Sequence, residues 1–520
     1  MFEGQPKGLW ALALANTGER FGYYTMLAVF ILFLQANFGY TPGVAGGIQA
    51  TFLMLVYFLP IIGGIAADKF GFGRMVTTGI FIMFLGYALL SVPLGSNWMA
   101  VAVMGAALVL VSLGTGLFKG NLQVMVGRLY DEPKYADKRD NGFSLFYMAI
   151  NIGAMFAPTA AIMIMKWAQT SLGVSEADSY HFAFAVACAS LILSIGIYYA
   201  FSSTYKHVLA SEDKGQKAVA KRVEAEKEAA KQPELTKEQT KERIVCLALV
   251  MCVVIFFWMA FHQNGVTLAY FAQDYTETSA TGVQGMAFDV TNLVACIFIV
   301  YGLFGAFQAK SSKALAYGVL AIAAGACYLG YQYLHTQNAV TAVEAPIFQQ
   351  FNPCFVVALT PVSVAFFSWL GKHGKEPSSP RKIGMGMLVA AAAFGLMIAG
   401  SMGLLNPMDQ TAAIEAGADP QRVTANLLIG TYLVLTLAEL LLSPIGISFV
   451  SKVAPPKYAG LMMGLWFGAT ALGNQLVMIP AILWDANVSL PYIWAVLAGI
   501  CILSALFIFS VLKKLEKVSK

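Results

Sequence analysis

Residues 8–36 read GLWALALANTGERFGYYTMLAVFILFLQA, and the fold turns on this stretch. About 20 consecutive apolar residues suffice for a helix to cross the hydrocarbon core of a bilayer. The run exceeds that length, yet it carries Glu19 and Arg20 near its middle. Asn16, Glu19, Arg20, Tyr23, Tyr24 and Leu27 recur at three- and four-residue steps, so they share one helix face. A polar stripe on a membrane helix must look into protein or a water-filled path. The run is too long, and too charged, to be expected as a cleavable signal peptide.

The rest of the chain repeats the apolar theme. Of 520 residues, 58% are hydrophobic and 12% charged, about half the charge of a soluble domain. A mean hydropathy of +0.67 cannot be hidden inside one globule. This excludes a soluble enzyme, a disordered chain and a nucleic-acid binder, despite a net charge of +5. The 7 cysteines show no CxxC spacing and the 5 histidines are scattered, so neither a disulfide frame nor a metal site is expected.

Further apolar runs fall at about 44–67, 75–95, 98–127, 142–168, 180–203, 244–272, 288–309, 314–335, 346–371, 381–404, 421–451, 458–484 and 488–512, which predicts an all-α integral membrane protein of fourteen spans. Residues 204–243 are polar on nearly every face and read as a solvated linker between an N-terminal part, 1–203, and a C-terminal part, 244–520. Lys and Arg are retained on the cytoplasmic side of inner-membrane proteins. With both termini inside, all but four of the 33 basic residues fall in inner segments. The exceptions are Arg20, Lys119, Lys166 and Arg422; the outer loops are otherwise acidic, from Glu176 and Asp178 to Asp485.

Four ionisable residues lie at membrane depth: Glu19, Arg20, Lys119 and Glu439. Such groups are costly there and mark function by default. Their formal sum is zero, but the N-terminal half carries +1 and the C-terminal half −1, a pattern suited to a zwitterion held between the halves. Pairing of Glu19 with Arg20 or Lys119 explains neutrality, but not why the charges are there. Tyr57, Asn151 and Asn352 add hydrogen-bonding groups inside spans. Asp68 and Arg74 flank the loop after Gly63-Gly64-Ile65-Ala66-Ala67, an arrangement that resembles the inner-loop gating motif of the major facilitator superfamily.

Glu19-Arg20-Phe21-Gly22-Tyr23-Tyr24, Gly114-Thr115-Gly116-Leu117-Phe118-Lys119 and Phe146-Tyr147-Met148-Ala149-Ile150-Asn151-Ile152-Gly153 occur in this order. Phe257-Trp258 with Gln263, Gln350-Phe351-Asn352-Pro353, Pro377-Ser378-Ser379-Pro380, Glu439 with Ser443-Pro444-Ile445-Gly446, and Met463-Gly464-Leu465-Trp466-Phe467 follow. The series resembles the proton-dependent oligopeptide transporter family over nearly the whole chain. The resemblance implies a major facilitator fold of two six-helix bundles, a midplane site between them, and import of di- and tripeptides with protons. It implies that Lys119 and Arg20 hold the peptide carboxylate, that Glu439 with Asn151 and Asn352 holds the amine, and that Tyr23, Tyr24, Tyr57, Trp258, Ser443 and Trp466 line the pocket. A peptide and the bilayer are the implied partners, in a plasma (inner) membrane. No nucleic acid, obligatory protein partner, metal or cofactor is expected beyond the coupling proton.

Three positions depart from the family motifs. Asn16 stands where a glutamate is usual, Leu27 where an arginine is, and His262 where a glutamate precedes Gln263. The first two losses leave the charge of the helix face unchanged. Proton coupling is therefore expected through Glu439, Glu19, Lys119 or His262, since histidine titrates nearest neutrality. An uncoupled facilitator, or a carrier of nitrate or a small metabolite on the same fold, is the alternative. Enzymatic activity is not expected, because no nucleophile–base pair or metal cluster is visible. The two surplus spans form a hairpin at about 288–335, inserted within the C-terminal part; without charge at membrane depth, it reads as peripheral packing.

Overall fold

The computed structural model describes residues 4–135, 138–210, 235–309, 311–455 and 458–519. Among them, fourteen helices are long and apolar enough to cross a membrane. They are α1 (Lys7–Phe38), α2 (Pro42–Phe70), α3 (Phe72–Leu90), α4 (Trp98–Arg128), α5 (Asn141–Leu172), α6 (Glu176–Ala200), α7 (Lys237–Asp274), α8 (Val290–Phe307), α9 (Ser312–Thr336), α10 (Ala345–Lys372), α11 (Ser379–Gly400), α12 (Asn426–Val453), α13 (Leu461–Asp485) and α14 (Leu490–Ser510). A short amphipathic helix, α15 (Leu512–Ser519), ends the chain.

Two bundles result. In the first, α1 packs on α5 and α6, and α4 on α2 and α3; in the second, α11 packs on α12 and α14, and α7 on α13. Lipid tails are as apolar as leucine, so close backbone approach and polar contacts must hold such helices together. At the α2–α4 crossing a Cβ on Gly63 would lie 2.1 Å from the Gly116 carbonyl oxygen. Asn121 donates across the same crossing to the Gly63 carbonyl at 3.2 Å. Only glycine allows this approach, and it draws the middle of α2 onto the middle of α4.

The structure departs from sequence expectation in three places. The span expected at 244–272 starts at Lys237, because Thr236 and Gln239 form a capping box. It is also broken: a 3-10 turn, His262–Gly265, interrupts α7 before the segment Thr267–Asp274. The freed carbonyls are satisfied from other helices, Asn264 by the Tyr432 hydroxyl at 2.8 Å and Gly265 by Gln49 at 2.7 Å. The span expected from 421 starts only at Asn426, since Arg422 turns back to donate to the carbonyls of Thr276 and Gln273. Most of the charged linker expected at 204–243 lies outside the described residues.

The hairpin α8–α9 stands beside the bundles. On α9 only Gly318 and Gly325 are buried, and both meet α8. The hairpin still touches both bundles: on α8 the Tyr301 hydroxyl donates to the Val357 carbonyl of α10 at 3.1 Å and lies 3.4 Å from the Met148 sulfur of α5.

Candidate functional site

The membrane-depth charges separate into one closed pair and two groups without an ionic partner. Glu19 and Arg20 are both buried, and Arg20 Nε and Nη2 each donate to the Glu19 carboxylate at 2.5 Å. The guanidinium also lies 4.7 Å from the Tyr23 ring centroid. A bidentate fork of this kind uses the pair's strongest hydrogen-bonding capacity internally. Arg20, expected to hold a ligand carboxylate, and Glu19, expected to carry a proton, are bound to each other in this structure, the pairing with Arg20 that the sequence also allowed.

Lys119 stands apart. Its Nζ lies 4.2 Å from the ring centroid of Tyr57, a contact made possible by the Gly63–Gly116 crossing. Among the described residues no carboxylate lies within ion-pair distance of it. On the other bundle, Glu439 is buried in the middle of α12. Asn352 of α10 donates to its Oε2 at 2.9 Å and to Thr436 Oγ1 at 3.0 Å. Among the described residues no cation pairs with it either. The site therefore offers one cation from the first bundle and one anion from the second.

The second partner of Glu439 is Tyr147 of α5, whose hydroxyl donates to Oε1 at 3.3 Å across the two bundles. Asn151, expected in this role, instead donates to the Tyr147 carbonyl at 3.0 Å within its own helix. The signal for Tyr147 was present, because it precedes Asn151 by four residues and shares its helix face. Ser443 is one turn beyond Glu439 on α12 and half-buried.

Tyr57 leads on to the broken turn of α7. Its ring centroid is 6.0 Å from that of His262, which stacks on Trp258 at 4.9 Å. His262 Nδ1 donates to Asn474 Oδ1 of α13. A Cβ on Gly473 would lie 2.4 Å from the Ile255 carbonyl oxygen, so α13 can press on α7 closely enough to bring Asn474 to His262. Trp258 Nε1 is buried without a hydrogen-bond partner, one of several such atoms.

The other expected residues lie in varied surroundings. Trp466 is buried against Gly446, whose added Cβ would lie 2.1 Å from the indole. Gly446→Ala is accordingly expected to cost about 1–3 kcal/mol by overpacking, read as a lower melting temperature in detergent. An unchanged melting temperature would mean that the indole moves freely. Tyr23 is buried, edge-on to Tyr24 at 5.2 Å and stacked on Phe52 at 6.2 Å. Asp68 and Arg74 are exposed on either side of Gly71, at the end of the molecule that carries the termini.

Two seams join the bundles toward the opposite end. Along the first, α2 meets α7 and α13 through Thr41–Asp485 at 2.8 Å, the Pro42 carbonyl and Tyr270 at 2.8 Å, and Gln49 and the Gly265 carbonyl at 2.7 Å. Along the second, α1 and α5 meet α10 and its approach through the Ala28 carbonyl and Gln349 at 3.2 Å, Thr159–Gln350 at 3.1 Å and Lys166–Glu344 at 2.9 Å. The charged groups thus sit below a closed end.

The family model described as the POT family matches residues 74–225 and 332–489, leaving out the stretch with the hairpin. The chain is 28% identical to the peptide transporter YePEPT of Yersinia enterocolitica, over 95% of this chain and 94% of that protein. It is 26% identical to a di-/tripeptide transporter of Lactococcus lactis, over 91% and 89% respectively. Among solved structures, a peptide transporter POT in complex with sulfate is similar with a TM-score of 0.72 at 22% identity, covering 100% of this chain and 96% of the other. A POT family transporter in complex with 5-aminolevulinic acid is similar with a TM-score of 0.70 at 19% identity, covering 100% and 98%.

Proposed function

Because the chain belongs to the POT family, a family of membrane transporters, we propose that it imports di- and tripeptides across the inner membrane, with Lys119 taking the carboxylate and Glu439 the amine. One observation carries this proposal: after Glu19 and Arg20 cancel, opposite charges with no ionic partner among the described residues remain on opposite bundles. In a water-poor site each is strongly favoured by a ligand group of opposite sign. A zwitterion answers both; a bare anion such as nitrate answers only Lys119. Tyr57 and Tyr24 supply ring surfaces near the charges, and Trp258 adds one through His262, whose ring neighbours Tyr57.

Both termini are cytoplasmic on the charge distribution, so the closed end is the outer one. Transport proceeds by rocking of the bundles about the site. No cofactor takes part, and the coupling ion is the proton. Its carriers are Glu439, which among the described residues has no ionic partner, and His262, which stacks on Trp258 and precedes Gln263 in sequence. An uncoupled facilitator is the second reading, favoured by Asn16 and by the engagement of Glu19 with Arg20.

Uptake of a labelled dipeptide into proteoliposomes, with and without an inward proton gradient, tests both readings. Glu439→Gln should lower peptide affinity by roughly 10- to 100-fold, since a hydrogen bond to a charged group contributes about 1.5–3 kcal/mol. Competition by a dipeptide panel but not by nitrate is expected. Wild-type uptake that ignores the gradient would select the facilitator, and unchanged affinity in Glu439→Gln would remove the amine site.

A further inference from the structure

We propose that Gln49 and Asn474 form a charge-neutral latch that holds the outer end of the path shut, and that this latch must part before a ligand can enter from outside. The inward orientation rests on the transport function proposed above; the latch itself rests on contacts. Both side chains are fully buried. Gln49 Nε2 donates to the Gly265 carbonyl at 2.7 Å, and Asn474 Nδ2 donates to the Leu53 carbonyl at 3.4 Å. Asn474 Oδ1 accepts from His262 Nδ1. Gln49 and Leu53 are one turn apart on α2, and His262 and Gly265 bound the broken turn of α7. The bonds therefore run in a ring from α2 to α7, from α7 to α13, and back to α2.

Three features make this ring a latch and not inert packing. It joins the two bundles at two points on one helix, so they cannot part on this seam without breaking both. The charged contacts of the seams lie nearer water, Thr41–Asp485 exposed and Lys166–Glu344 about half exposed, while the Tyr270, Gln349 and Gln350 contacts are part-buried single bonds. Exposed ion pairs contribute little to a closed state. Finally, Gln49 Oε1 is buried and has no hydrogen-bond partner among the described residues while the latch is closed. That unmet acceptor disfavours closure, and water meets it on opening, which keeps the latch reversible. While His262 is neutral no ion has to be desolvated, so closing then avoids the penalty of burying a salt bridge.

Asn474 is thus a positioning residue between His262 and α2. His262 stacks on Trp258 and neighbours Tyr57, and Tyr57 covers Lys119. A ligand carboxylate on Lys119 competes with the Tyr57 ring for that cation, and displacement of the ring is felt at His262 and at the latch.

Hydrogen–deuterium exchange of ligand-free protein in nanodiscs tests the proposal without reference to the cargo. In Gln49→Leu, which loses one buried hydrogen bond, exchange should rise roughly 2- to 10-fold in the outer segments, 42–56 and 474–485, and at least as much in Asn474→Leu, which loses two. It should fall in the inner halves of α2 and α12, because the inner end closes as the outer end opens. A destabilising substitution without a latch role would raise exchange at both ends, and that result, or no change, overturns the proposal. Should one variant fail to fold, the other, on the opposite bundle, carries the same test. Lys166→Gln is expected to leave the pattern unchanged; the same reciprocal shift there would show that closure is spread over both seams and would overturn the latch.

Discussion

Lys119→Ala should abolish peptide uptake at concentrations that saturate the parent chain. Removing one member of a buried, hydrogen-bonded charge pair costs about 2–5 kcal/mol, or roughly 30- to several-thousand-fold in affinity. The effect exceeds that of Glu439→Gln because glutamine keeps an acceptor oxygen, whereas alanine keeps nothing. Arg20 offers no substitute, since its fork is held by Glu19. The informative measurement is a cycle of two proteins and two ligands. A dipeptide amide, lacking the carboxylate, should bind the parent chain about as weakly as the free dipeptide binds Lys119→Ala, and combining both changes should add little. Full additivity would place the carboxylate elsewhere.

Glu19→Ala is expected to destabilise the protein by about 3–5 kcal/mol, because it leaves the Arg20 guanidinium buried without its counter-charge. The same rule predicts partial recovery in the double variant Glu19→Ala/Arg20→Ala, where no charge remains to be compensated. Thermal unfolding in detergent reads both. A double variant as unstable as the single one would mean that the residues act through packing. A stable Glu19→Ala whose uptake no longer responds to a proton gradient would return Glu19 to the role of proton carrier.

The two predictions differ in how far the sequence could reach. The four charges at membrane depth stood out in the sequence, because hydrocarbon tolerates so few that each is conspicuous. Their partners did not. Glu19 had two cations to choose from, and adjacency along the chain says nothing of which rotamers converge. Asn151 and Tyr147 sit one turn apart on one face, and both were in reach of Glu439 as far as periodicity shows. The choice fell to Tyr147 because its longer side chain crosses between the bundles while Asn151 turns back onto its own helix. The break in α7 was hidden for a similar reason. Phe261-His262-Gln263-Asn264-Gly265 continues an apolar run, and a lone glycine is tolerated in a membrane helix. The break is stable because Tyr432 and Gln49, remote in sequence, satisfy the two freed carbonyls.

By itself the sequence determined that this chain is an all-α membrane protein with fourteen helices long and apolar enough to cross a bilayer. It also determined which few residues bear charge where charge is costly. These are consequences of solvent: apolar length and the placement of lysine and arginine are properties of single segments, and each segment meets the membrane on its own. Tertiary structure alone decided which charges pair with each other, which do not, and at which end the two bundles are joined. Those outcomes depend on distances between side chains of different helices, and helix crossings such as Gly63 on Gly116 and Gly473 on the α7 backbone set them.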